Sequence, residues 1–163
     1  MYHMDVSVHL LRMAEFTARS IVDASPEQVL EVLTDPEEIR SWSPIAFEVD
    51  EFGGRRLHAG SVARVSGSLA GRRVGFDVAV HAADSDGLEL SATGPISLDA
   101  RYGLSRVEGG SEVTASIVVR GGSGLTGRLL ATATSALLGA GALDLAAGRV
   151  ARAAEASARL AFA

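Results

Sequence analysis

Tyr102 shares a strand-like face with Leu98, Ala100 and Leu104, which makes its hydroxyl the best-placed polar group for an apolar interior. A buried phenol needs a hydrogen-bond partner and can act as a proton donor. Arg64, Asp77, Asp99 and Arg101 also interrupt strand-like runs. Pointing outward they are ordinary solvated residues, which is the favoured reading. Turned inward, an arginine could stabilise an enolate or bind a carboxylate. Strand register decides between the two and cannot be fixed from sequence. The catalytic candidates are therefore Tyr102, Arg64 and Arg101.

Other chemistries find little support. The four histidines, His3, His9, His58 and His81, show no ligand spacing, so no metal site is expected. His81, at a strand end, reads as a surface or hydrogen-bonded histidine rather than a base. The chain has no cysteine, hence no disulfide, thiolate nucleophile or Cys-containing zinc site. All 15 basic residues are arginine, which removes lysine Schiff-base chemistry and the P-loop lysine. No G-x-S-x-G elbow is present. Gly122-Ser123-Gly124-Leu125-Thr126-Gly127 matches G-x-G-x-x-G formally. A dinucleotide site also needs a second parallel strand ending in an acidic residue, whereas here a long helix follows. The segment reads as a strand-to-helix hinge, and no cofactor is expected.

The elements that would position these residues are legible in outline. Ser25, Pro26 and Gln28 form a capping box with proline at the first helical position, and Asp35, Pro36, Glu37 and Glu38 repeat the signal. The spacing predicts two short helices, ending near Thr34 and near Trp42 to Pro44. Before them, Phe16, Ala18, Ser20 and Val22 alternate with polar residues over Glu15 to Asp23, broken by Ile21. After them come strand-like segments over Ile45–Phe52, Gly60–Leu69, Arg72–Ala82, Gly87–Thr93, Ile96–Val107 and Ser111–Arg120, separated by turn residues. Short connections imply an antiparallel meander. From Leu125 to Leu160 a long helix is expected, with a stripe of Leu125, Leu129, Ala133, Ala136, Ala140, Leu143, Ala147, Val150 and Ala154. Such a small-residue stripe either packs close to the sheet or leaves space beneath it.

A chain of 163 residues reads as one domain, with an N-terminal extension over 1–13 and a folded unit over 14–160. The net charge of −5, with arginines scattered apart from Arg55-Arg56 and Arg72-Arg73, leaves no nucleic-acid footprint. Met1 to Arg12 does not read as a secretory signal, so cytoplasm is the expected compartment. The uncharged run Leu129 to Leu143 spans only 15 residues, short of the roughly 20 a bilayer crossing needs, so no membrane span is expected. The oligomeric state, monomer or homodimer, is left open.

The order of strand, helix pair, antiparallel strands and long C-terminal helix, with Ala24-Ser25-Pro26-Glu27-Gln28-Val29 and Thr34-Asp35-Pro36…Trp42-Ser43-Pro44, resembles the helix-grip superfamily of START domains and birch pollen allergens (SRPBCC). It is most similar to the bacterial polyketide cyclase/dehydrase and lipid-transport branch, over about residues 14 to 158. The resemblance implies an α+β fold, a sheet of about seven strands around the last helix, and a deep hydrophobic cavity. It implies binding of a small hydrophobic metabolite or lipid, with Trp42, Phe76, Val78, Leu98, Tyr102, Leu129, Ala133 and Ala136 as candidate lining. For Trp42 a core plug orienting the helix pair is the favoured alternative. A cyclase or dehydratase acting on a poly-β-ketone is the rival function, and an accessory protein of the carbon monoxide dehydrogenase type is a third.

Overall fold

The computed structural model describes residues 13–44, 47–69, 71–122 and 124–161. The chain runs β1 (Met13–Val22), α1 (Pro26–Thr34), α2 (Pro36–Trp42), β2 (Phe47–Phe52), β3 (Val62–Leu69), β4 (Arg72–Asp84), β5 (Gly87–Thr93), β6 (Ser97–Val107) and β7 (Gly110–Arg120). Then follow α3 (Gly124–Leu137), a five-residue π segment (Leu138–Ala142) and α4 (Leu143–Ala161). The expected extension lies outside the described residues except for Met13, which opens β1.

Local chemistry sets the helix pair. Ser25 Oγ accepts from the Gln28 N–H at 3.2 Å and the Gln28 side chain accepts from the Ser25 N–H at 2.9 Å, closing the capping box. Asp35 caps α2 by accepting the Glu37 N–H at 3.0 Å. Pro36 cannot sit behind a helical residue without a clash, so Asp35 is extended (φ −85°, ψ 114°) and the chain breaks between the helices.

Seven strands form one curved sheet in the order β1-β7-β6-β5-β4-β3-β2, every pair antiparallel. Period-two alternation decides the faces. Val74, Phe76 and Val80 of β4 and Val113, Ala115, Ile117 and Val119 of β7 are buried, while Ile21 of β1, which breaks its pattern, is exposed. The helices cover the inner face. α4 packs against β1, α1 and α2, and α3 against β7 and β3.

The C-terminal helix departs from expectation. It is broken by the π segment, with Gly141 at φ 102°, a backbone that suits glycine. The expected stripe is buried only in α4, at Leu143, Ala147, Val150 and Ala154. In α3 the buried face is instead Gly127, Leu130 and Thr134, continued by Leu138 at the start of the π segment, while Leu125 and Leu129 are 76% and 63% exposed. A π turn takes up an extra residue, so the face that points inward after the break is not the one that points inward before it. By length and composition alone Gly124–Leu160 is apolar enough to cross a bilayer. Its two halves pack against β1, β3 and β7 along one side.

Candidate functional site

The inner face of the sheet, α2 and β2 enclose a cavity of about 110 Å³. α2 gives Ile39 and Trp42, and β2 gives Phe47, Val49 and Phe52. The floor is the inward set of the central strands: Val65 of β3, Phe76 and Val78 of β4, Leu90 and Ala92 of β5, Leu98, Ala100 and Tyr102 of β6, and Ile117 of β7. Leu57 closes the side, its N–H donating to the Thr34 carbonyl at 2.8 Å. No charged side chain lines the cavity among the described residues.

Five of the eight lining candidates, Trp42, Phe76, Val78, Leu98 and Tyr102, meet here. Leu129, Ala133 and Ala136 do not border it, because the π segment turns their side of α3 outward. Phe47, Phe52, Leu57 and Ile117 are lining residues that the sequence reading missed. The alternation of Phe47 and Val49 was the available signal for β2.

Trp42 is both plug and wall. It is 4% exposed, and its Nε1–H donates to the Val32 carbonyl at 3.3 Å, tying α2 to α1. Its ring meets Tyr102 edge-on, with centroids 5.1 Å apart at 70°.

Tyr102 is the chemically unusual member. Among the described residues its hydroxyl is the only buried side-chain polar atom without a partner. An unpaired buried hydroxyl costs about 1–3 kcal/mol. Burial pushes its pKa well above the ordinary value of 10, so it is a neutral phenol and a hydrogen-bond donor, not a base. The other polar side chains at the cavity, Trp42 and Ser43, have partners of their own.

The arginines take the outward alternative. Arg64 is paired with Asp77 at 3.2 Å on the outer face, with side chains 63% and 72% exposed, and Arg101 is exposed. Neither reaches the cavity. On the same outer face His81 Nε2 lies 2.7 Å from Ser91 Oγ, which donates to Asp99 Oδ1 at 2.8 Å; Arg120 donates to the same oxygen at 3.0 Å. Serine, not histidine, is the middle member: the Ser91 hydroxyl donates to the carboxylate, and no carboxylate among the described residues orients the imidazole as the base of a hydrolytic triad. The glycine-rich hinge is a packing device. A Cβ on Gly122 would stand 2.5 Å from the carbonyl oxygens of Gly127 and Pro95, and the antiparallel sheet lacks the parallel strand pair of a dinucleotide fold.

Fold and cavity together define a helix-grip container. Residues 13–155 match the family described as polyketide cyclase / dehydrase and lipid transport, and the chain belongs to that family. No match was found among curated proteins. Similar solved structures include TTHA0849 from Thermus thermophilus (TM-score 0.66, 17% identity, 88% of this chain and 99% of that one). The Zhui aromatase/cyclase from Streptomyces sp. R1128 aligns with TM-score 0.60 and 17% identity over 86% of this chain and 94% of that one. Ara h 8.0201 aligns with TM-score 0.54 and 17% identity over 85% and 97%. Identities this low establish the shared fold alone.

Proposed function

We propose that the protein binds a compact apolar small molecule between α2, β2 and the inner face of the sheet. The observation that carries this reading is the uncharged cavity walled by Trp42, Phe76 and Tyr102. Its size favours a compact occupant. Apolar cavities of about 150 Å³ accept benzene, and sites for drug-sized ligands run from about 300 to 1,000 Å³. At about 110 Å³ the cavity suits one small ring or branched group, not a whole lipid chain or an extended poly-β-ketone.

Membership of the polyketide cyclase / dehydrase and lipid transport family and the fold shared with the Zhui aromatase/cyclase favour a second reading, cyclisation or dehydration of a polyketide. In that reading Tyr102 is the proton donor and the cavity grips one end of the substrate. With Arg64 and Arg101 outside, no cation among the described residues is at hand to hold an enolate, and the chemical contribution reduces to positioning plus one hydrogen bond. Unchanged product regiochemistry with synthase-generated intermediates rules against this reading.

Native mass spectrometry and solvent extraction of the protein from its own cells test the binding reading. A one-to-one adduct with a compact neutral molecule is expected. Protein that carries no adduct, and whose Tm rises with no member of a panel of small apolar compounds, contradicts it.

A further inference from the structure

The apolar stripe of α3 is regular but turned away from the sheet. Leu125, Leu129, Ala136 and Ala140 recur at helical spacing and all four are exposed, as are Leu137 beside them and Leu145 past the π segment. From Leu129 to Leu143 the chain carries no charge. The run is bracketed by Arg128 and Asp144, both exposed, and neither side chain has an ion-pair partner among the described residues. Ala136 lies midway between these two charges of opposite sign.

We infer that this face is the contact between two copies of the chain, paired antiparallel about a two-fold axis near Ala136. An isologous contact repeats every interaction across the axis, so Arg128 of either copy comes level with Asp144 of the other and the ion pair forms twice. Leu145 comes level with the gap between Leu125 and Leu129. At the centre the small residues Ala136, Gly139 and Ala140 let the two backbones approach closely. The long arginine side chain takes up the offset that the π turn introduces. A lipid surface fits this face less well, because helices that lie on membranes set a row of cations beside their apolar side, whereas here one charge of each sign flanks it and the net charge is −5. No α3 residue among those described lines the cavity, so the pairing is testable apart from ligand binding.

Sedimentation equilibrium of the full chain is the test. A monomer–dimer equilibrium is expected, with Leu129→Glu abolishing the dimer and Arg128→Asp or Asp144→Arg each weakening it about ten-fold or more. Combining Arg128→Asp with Asp144→Arg is expected to recover most of the lost affinity, because the ion pair returns with its signs exchanged. A wild type that stays monomeric up to about 1 mM, the weak end of specific association, overturns the inference. So does a dimer indifferent to these substitutions, or a double variant no tighter than the single ones. A monomer whose α3 amides are protected from exchange only while residues 1–12 are present assigns the face to that segment, and one that floats with phosphatidylcholine vesicles assigns it to lipid; either result also overturns the inference.

Discussion

α4 and α2 cover opposite parts of the same sheet, and they do it in opposite ways. α4 sets Ala146, Ala147, Val150, Ala151 and Ala154 against its neighbours at 0–7% exposure, so its small side chains bring helix and sheet into close contact. α2 is seven residues long and holds its place through Trp42, while Ala63, Ala92 and Ala100 face it from the strands. There the small residues leave a void. The same residue type makes a solid wall under a long helix that can settle onto the sheet, and a hollow one under a short helix propped on an aromatic side chain.

Four substitutions sharpen this contrast. Ala154→Leu overpacks the solid wall and is expected to lower stability by about 1–3 kcal/mol in denaturant titrations, with ligand affinity per folded molecule unchanged. Gly141→Ala forces an alanine into φ 102°, where the open surroundings make backbone strain the only cost; a loss of about 1–2 kcal/mol in the same titration is expected. Ala100→Leu fills the hollow wall. It is expected to change stability by less than about 1 kcal/mol because free space receives the added carbons, while titration with small hydrocarbons shows affinity down more than about ten-fold. Leu129→Ala alters an exposed side chain and is expected to stay within about 0.5 kcal/mol. Equal penalties for leucine at positions 154 and 100 break the distinction between the walls.

What the sequence disclosed follows the range of the forces involved. The starts of the two short helices were readable to the residue because their caps, Ser25 with Gln28 and Asp35 before Pro36, act over two or three positions. The strands were readable because Val74, Phe76, Val78 and Val80 repeat every second residue, and alternation placed Arg64 and Arg101 outside once register was known. The helix stripe misled because periodicity assumes one unbroken helix. Leu125 and Leu129 continue the spacing of Leu143 and Ala147, but a π turn and the positive φ of Gly141 intervene. The rest of the cavity lining was not readable, since Phe47, Phe52, Leu57 and Ile117 join Trp42, Phe76 and Tyr102 only through the curvature of the sheet.

The central claim is that the α2 side of the sheet holds a cavity that takes up a compact apolar molecule. The most direct measurement is a titration of the protein with methylenecyclopentane, followed at the Trp42 indole resonance, in the wild type and in Ala100→Leu. The account predicts a saturable one-to-one shift in the wild type that is lost when the cavity is filled. No saturable shift in the wild type, or the same shift in both proteins, contradicts it.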